Sequence, residues 1–153
     1  TLVLPISNGK ILLGMKKRGF GKGKVNGFGG KLNEGETIAE AAVRELAEEV
    51  GIKVELKDLS KMAELAFTFP HREDDSWNQK VHVFLVNSWE GEPKESEEMS
   101  VEWHDLDKIP FHKMWDDDKH WLPEVLKGRK VQGKFSFGKD NSTISSQEII
   151  DMV

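Results

Sequence analysis

The chain has 153 residues, a length that suits one domain with a continuous core and leaves little room for a second. A net charge of -5 gives no general attraction for nucleic acid polymers, and the absence of cysteine excludes a disulfide framework. No apolar run reaches the roughly 20 residues that span a bilayer. We therefore expect a single domain over residues 1–153, cytoplasmic and monomeric, with no membrane and no nucleic acid polymer as partner.

The first two predicted strands cover residues 2–6 and 11–15, and the Asn8-Gly9 pair between them is a strong hairpin signal. A basic loop rich in glycine follows over residues 16–30, and its glycines would let the main chain approach a ligand closely. This loop lacks the Gly-Lys-Ser/Thr ending of a P-loop. A flexible surface loop is the alternative interpretation.

A helix is predicted over residues 38–50. Thr37 and Glu40 have the spacing of a capping box, and Gly51 supplies the stop. At about 100° per residue, one side of this helix carries an apolar stripe. The stripe consists of Ile38, Ala42, Leu46 and Val50.

Three carboxylates accompany the stripe. Glu45 and Glu49 fall inside or beside its arc and Glu48 lies on its flank, so we expect them to lie along the apolar side of the helix. Burying several like charges without a counterion costs several kcal/mol, and oxygen ligands suit Mg²⁺ or Mn²⁺. The pattern indicates a divalent metal site, with an acidic run on the solvated face as the alternative.

Residues 30–52 also follow a defined spacing: Gly, five residues, Glu, seven residues, then Arg-Glu-apolar-any-Glu-Glu-any-Gly-apolar. Every defined position is matched, by Gly30, Glu36, Arg44, Glu45, Leu46, Glu48, Glu49, Gly51 and Ile52. The segment resembles the Nudix box, the signature of enzymes that hydrolyse a nucleoside diphosphate linked to another group. The resemblance implies a metal site built from a main-chain carbonyl of Gly29 or Gly30 and from Glu45, Glu48 and Glu49. It also implies that Arg44 and Glu36 brace the loop and the helix structurally.

The rest of the chain predicts strands over residues 61–69, 81–89, 101–104 and 131–137, a polar loop over 70–79 and a helix over 117–126. Residues 143–153 are expected to add another strand or to fray. These elements predict an α/β sandwich. The Nudix resemblance sharpens the fold class to an α/β/α sandwich with a mixed β-sheet.

From residue 1 to about residue 137 the chain looks like the oxidised purine nucleoside triphosphate hydrolases among the MutT homologues. The matching segments include residues 26–31 and 115–118. The chain departs from these enzymes at Val25, Glu64 and Gln79 and in a longer loop before residue 81, which leaves the fine base selectivity open. The resemblance implies nucleotide contacts from Thr1, Lys16, Asn26, Gly29, Gly30, Lys31, Asp117 and Asp118.

The residues themselves support a purine pocket. Trp115 offers a large face on which a base can stack, and Phe28 and Phe67 are candidates for the remaining apolar wall. Adjacent carboxylates such as Asp117 and Asp118 should titrate as a coupled pair, so that one donates a hydrogen bond while the other accepts. The alternatives are core packing for the aromatic residues and a helix N-terminus for the acidic run.

Glu98 belongs to the acidic segment 95–99, which on composition alone is a solvated loop. The resemblance makes it a metal ligand or the group that activates the attacking water, so Glu45, Glu49 and Glu98 are the candidate catalytic residues. The implied activity is Mg²⁺-dependent hydrolysis of 8-oxo-dGTP and 2-oxo-dATP to the monophosphate and pyrophosphate, with Mn²⁺ as the alternative ion. A Nudix hydrolase for another linked substrate and a non-catalytic nucleotide-binding module are the other hypotheses.

Overall fold

The structure of the chain, a computed structural model, describes residues 1–152. The described residues form two compact units, Thr1–Ser60 with Phe84–Met114 and Lys61–Val83 with residues 115–152. The predicted single domain over residues 1–153 stays a prediction. The strands are β1 (Leu2–Ser7), β2 (Lys10–Met15), β3 (Val25–Asn26), β4 (Ser60–Thr68), β5 (Gln79–Val86), β6 (Glu102–Asp105), β7 (Val131–Phe137) and β8 (Ile144–Asp151). The helices are α1 (Ile38–Val50) and α2 (Asp118–Leu126).

The first unit is built on antiparallel pairing around β2. The predicted hairpin is confirmed, since Ser7 pairs with Lys10 and the two turn residues Asn8 and Gly9 have φ angles of 51° and 73°. Two residues with positive φ are what a tight hairpin turn requires, because they match the twist of the flanking strands. Strand β2 also pairs with β3 and with β6.

Helix α1 has the predicted bounds and both predicted caps. Thr37 Oγ1 accepts the Glu40 N–H at 3.1 Å, and Glu40 Oε1 accepts the Thr37 N–H at 2.9 Å. Gly51 ends the helix in the left-handed region at φ 75°. The apolar side packs into the core of this unit, which contains Val3, Leu12, Phe28, Ala42, Leu46, Val50, Ile52 and Met99.

The second unit has mixed pairing. Strand β4 runs parallel to β7, and β8 runs antiparallel to β7. Phe67 and Phe135 lie opposite each other in the parallel register, so their rings share one face of the sheet. The predicted strands over 61–69 and 131–137 and the helix over 117–126 are confirmed to within one residue at each end. The chain's last part forms β8, and Val153 lies outside the described residues.

Neither helix in the described part of the chain combines the length and the apolar character needed to cross a membrane.

Candidate functional site

Glu49 is the carboxylate that α1 carries into the interior of the first unit. It is 5% exposed, and its Oε1 accepts the Gly29 N–H at 2.8 Å. Burial raises its pKa to about 7, and the neighbouring charges of Glu45 and Glu98 act in the same direction. The Gly29 hydrogen bond and the charge of Lys16 oppose this shift but do not cancel it. Glu49 is therefore an acidic group whose negative charge the protein leaves only partly compensated.

Arg44 organises the other acidic groups of the helix. Its guanidinium holds Glu36 through two hydrogen bonds of 2.7 and 2.9 Å and donates to the Lys31 carbonyl at 3.0 Å. The fork of an arginine fits a carboxylate in this bidentate manner, and it keeps the pKa of Glu36 low, at about 2. The contact that the predicted brace requires is thus present. It joins the loop before α1 to the helix.

Glu45 and Glu48 share the remaining donor of Arg44. Nη1 lies 2.8 Å from Glu45 Oε1 and 3.2 Å from Glu48 Oε2. The side chain of Glu45 is 15% exposed and that of Glu48 is 59% exposed. The expectation that all three helix carboxylates lie along the apolar side is wrong for Glu48. Glu48 follows Arg44 by one helical turn, so the two side chains lie on the same side of the helix, where that of Glu48 is mostly exposed.

Gly30 stands directly against Glu45. A β-carbon at this position would lie 2.6 Å from Glu45 Oε1, closer than any normal contact. The Thr1 hydroxyl donates to the Gly30 carbonyl at 3.3 Å. Glycine at this position lets the main chain of residues 29–30 pass within reach of two carboxylates, Glu45 and Glu49.

Glu98 is held from the glycine-rich loop. The Lys17 N–H donates to the Glu98 carbonyl at 2.8 Å, and Arg18 Nη2 lies 3.5 Å from Glu98 Oε1. Lys17 Nζ also donates to the Ser96 carbonyl at 2.8 Å. These contacts fasten the acidic segment to the loop through its main chain, and the Glu98 side chain itself is 50% exposed.

The expected metal site with its five binding groups stays a prediction. Within residues 1–152, no three acidic or histidine side chains come together as a metal-binding group. The reason is that Arg44 holds Glu45 and Glu48 while the Gly29 N–H holds Glu49. The donor set nevertheless suits a hard divalent cation. All its members are oxygen ligands, and the raised pKa of Glu49 marks the excess negative charge that such an ion would relieve.

In the second unit, aromatic rings surround Trp115. Phe69 and Phe137 stack in parallel with centroids 4.5 Å apart, and the Trp115 ring meets them edge to face at 6.5 and 5.8 Å. Phe67 lies 6.3 Å from Phe137. Trp115 and Phe67, the two aromatic residues predicted here from sequence, therefore both contact the ring of Phe137. Phe137 itself was not predicted as a site residue.

Asp117 and Asp118 are buried at the start of α2. Asp117 Oδ2 accepts the indole N–H of Trp121 at 2.8 Å, whereas Asp118 Oδ2 is buried without a hydrogen-bond partner among residues 1–152. Burial raises the pKa of Asp117 to about 6 and raises that of Asp118 well above its usual range, with the charge of Asp117 adding to the second shift. Both carboxyl groups therefore keep their protons to a higher pH than an exposed aspartic acid does, and the predicted sharing of one proton between them stays a prediction.

Trp121 is a site residue that the sequence interpretation missed. Its spacing of four residues from Asp117 would have indicated it, because positions four apart on a helix are neighbours.

The other predicted contacts differ in outcome. The Phe28 ring is fully buried in the core of the first unit, and its expected place in the wall of the base pocket stays a prediction. Asn26 Oδ1 accepts the Gly27 N–H at 2.8 Å. Lys31 is exposed, and its carbonyl accepts a hydrogen bond from Arg44 Nη2 at 3.0 Å. Lys16 lies close enough to Glu49 for its charge to lower the pKa of that group.

Comparison with known proteins identifies the class. Residues 1–125 match the NUDIX domain. The chain belongs to the Nudix family, and its mixed strand pairing with two helices is the predicted Nudix α/β/α sandwich.

Individual relatives have names that are more specific than the family. The chain is 50% identical over 137 residues to the oxidized purine nucleoside triphosphate hydrolase of Danio rerio, covering 90% of this chain and 85% of that protein. It is 46% identical over 152 residues to the protein of the same name from Mus musculus, covering 97% and 92%. Among solved structures, the MutT protein of Bacillus halodurans superposes with a TM-score of 0.83 at 26% identity, covering 97% of this chain and 94% of that one.

Proposed function

We propose that this protein hydrolyses oxidised purine nucleoside triphosphates, such as 8-oxo-dGTP and 2-oxo-dATP, to the monophosphate and pyrophosphate. The observation that carries the proposal is the buried Asp117–Asp118 pair beside Trp115. The names of the relatives from Danio rerio and Mus musculus support it. A cytoplasmic location, a monomeric state and Mg²⁺ as the preferred ion, with Mn²⁺ as the alternative, belong to the same proposal.

The acidic pair forms hydrogen bonds with the polar edge of the base. In this proposal Asp118 is the hydrogen-bond donor and Asp117 the acceptor, because burial raises the pKa of both and the charge of Asp117 raises that of Asp118 further. A buried oxygen without a partner, as in Asp118, is costly, and a ligand that forms the missing hydrogen bond removes that cost. Moving the one proton between the two carboxyl groups exchanges donor and acceptor, which allows the same pair to bind different oxidised purines.

The first unit supplies the groups for hydrolysis. Nudix hydrolases use divalent cations, and in this chain Glu45, Glu48, Glu49, Glu98 and the Gly29 carbonyl are the groups that would hold one. A bound divalent cation offsets phosphate charge and lowers the pKa of coordinated water. Glu49, oriented by the Gly29 N–H, is the group proposed to accept the proton of the attacking water.

The test is pyrophosphate release from 8-oxo-dGTP, 2-oxo-dATP, dGTP and dATP in the presence of Mg²⁺. We expect kcat/KM to be at least about tenfold higher for the oxidised purines than for dGTP and dATP. The reason is that an unmodified base would leave polar groups of the Asp117–Asp118 pair without hydrogen-bond partners. Glu49→Gln should reduce turnover by about 10²-fold or more. Glu34→Gln, an exposed carboxylate just before α1, is the matched control and should retain activity.

Other results would select the other hypotheses. Turnover confined to other linked diphosphates would identify a Nudix hydrolase with a different substrate. Nucleotide binding without any turnover would identify a binding module.

A further inference from the structure

The loop between β4 and β5, residues 70–78, carries an arginine stacked on a tryptophan. Arg72 Cζ lies 3.9 Å from the ring centroid of Trp77. Arg72 Nη2 lies 3.4 Å from Asp74 Oδ1, and the Arg72 side chain is only 24% exposed. Its Nε is buried with no hydrogen-bond partner in the described part of the chain. The aromatic face of Trp77 is therefore a principal partner of this cation.

Both ends of the loop are fastened to one residue, Phe69. The Phe69 N–H donates to Asn78 Oδ1 at 2.8 Å, and the Phe69 carbonyl accepts the Arg72 N–H at 3.2 Å. Within the loop, Asp74 Oδ1 accepts the Ser76 N–H at 3.0 Å. These hydrogen bonds give the loop a defined conformation and hold Trp77 against the end of β4.

A short chain of ring contacts leads from Trp77 to Trp115. Trp77 meets Phe69 at right angles with centroids 5.3 Å apart. Phe69 stacks on Phe137, and the Trp115 ring meets both at angles of 77° and 76°. One phenyl ring thus separates the loop tryptophan from the tryptophan assigned to base stacking. Because packed aromatic rings are close to incompressible, a change in the orientation of Phe69 is transmitted to Trp115.

We propose that Trp77, held by Arg72, is a positioning residue for the nucleobase: it fixes Phe69 and, through Phe69, the ring orientation of Trp115. The inference deepens the proposed function and rests on it. Trp77 lies on a different compact unit from the carboxylates assigned to hydrolysis. Its loss should therefore weaken the binding of the base and leave the chemical step unchanged.

The test compares Trp77→Ala and Trp77→Phe with the wild-type protein. For Trp77→Ala we expect KM for 8-oxo-dGTP to rise about tenfold while kcat stays within about twofold. Loss of base stacking lowers the affinity by about tenfold, and only binding is affected. The ratio of kcat/KM for 8-oxo-dGTP to kcat/KM for dGTP should fall in parallel. Trp77→Phe retains a ring against Phe69 and should recover most of both properties.

Trp103→Ala is the matched control, because Trp103 is a partly exposed tryptophan stacked on another ring, that of Trp89, in the first unit. It should leave KM and the base preference unchanged. An unaltered KM and base preference in Trp77→Ala, in a wild-type background that prefers 8-oxo-dGTP, would overturn the inference and leave the proposed function standing. Parallel losses of kcat and thermal stability without a change in base preference would overturn it as well, since they indicate a purely structural role.

A wild-type protein without turnover would refute the proposed function but still allow the inference to be decided. Titration calorimetry with 8-oxo-dGMP then provides the readout. An approximately tenfold higher Kd for Trp77→Ala supports the positioning role, and an unchanged Kd overturns it.

Discussion

At the scale of single residues, the buried acidic pair is a cost to folding. Asp117 has one hydrogen bond from Trp121, and Asp118 Oδ2 has none. Both pKa values are raised, so the unfolded chain ionises more readily than the folded protein. Arrangements that reduce stability in this manner are expected where binding requires unsatisfied polar groups.

Asp117→Asn should stabilise the protein at pH 7, by up to about 3 kcal/mol, because the amide removes a buried charge and can still accept from Trp121. The pKa of Asp117 is 3.8 in the unfolded reference and about 6 in the folded protein. The folded state therefore binds more protons between these values, and the wild-type free energy of unfolding falls, relative to the variant, as the pH rises from about 4 to about 6. Above that range the difference should be constant.

Denaturant unfolding at a series of pH values measures this effect. The exposed Asp107→Asn serves as the control, with a profile that follows the wild-type curve. A difference between Asp117→Asn and the wild type that does not change with pH would contradict the assignment.

At the scale of elements, the site depends on how the loop before α1 lies against the helix. Arg44 joins the two through Glu36 and the Lys31 carbonyl. The main chain at Gly30 then lies close enough to Glu45 that no side chain fits between them. The loop and the helix therefore have to be treated as one unit when a substitution is interpreted.

Gly30→Ala should lower the free energy of unfolding by about 1 kcal/mol or more, because the new β-carbon overpacks against Glu45 and forces it away from Arg44. In a Glu45→Ala background the same change should cost much less, since the side chain that it meets is gone. A double-mutant cycle on the free energy of unfolding measures the coupling. Equal costs in both backgrounds would show that the contact with Glu45 is not the cause.

At the scale of the whole molecule, an acidic protein is proposed to bind a polyanionic substrate. A net charge of -5 repels a triphosphate at long range, so attraction has to be local. The carboxylates of α1 are already held by Arg44 and by the Gly29 N–H. We therefore expect the fold to persist without a cation, whereas the proposed activity should require one.

Removal of divalent ions should abolish hydrolysis without unfolding the protein. We expect activity to fall to background in excess EDTA, the far-ultraviolet circular dichroism to stay unchanged, and Mg²⁺ or Mn²⁺ to restore the rate. Millimolar Mg²⁺ should also raise the melting temperature, because an ion that binds the folded state stabilises it. A full rate in EDTA would refute the metal assignment.

Local sequence signals predicted the elements that depend on neighbours along the chain. The bounds of α1 followed from its capping box and from Gly51, and the β1–β2 hairpin followed from Asn8-Gly9, because caps and tight turns are satisfied within a few residues. The spacing of residues 30–52 likewise indicates the family from the sequence alone.

Local sequence signals could not predict which side chains are buried, because burial depends on which distant segments of the chain pack together. Glu48 and Glu49 are adjacent in the chain, yet the first lies in solvent and the second in the interior, and helical periodicity separated them only approximately. The complete burial of the Phe28 ring likewise depends on residues that are distant in the sequence, such as Val3 and Met99.

The chain's local chemistry thus decides the class of protein, the position of the helix with its acidic groups, and the residues that are available for catalysis and base recognition. Tertiary packing alone decides which carboxylates are buried and have a raised pKa. It also decides how the loop that carries Arg72 and Trp77 contacts the aromatic rings around Trp115. The physical reason is that helix caps and turns are stabilised by interactions a few residues long. Desolvation and ring packing are instead set by residues that are far apart in the sequence.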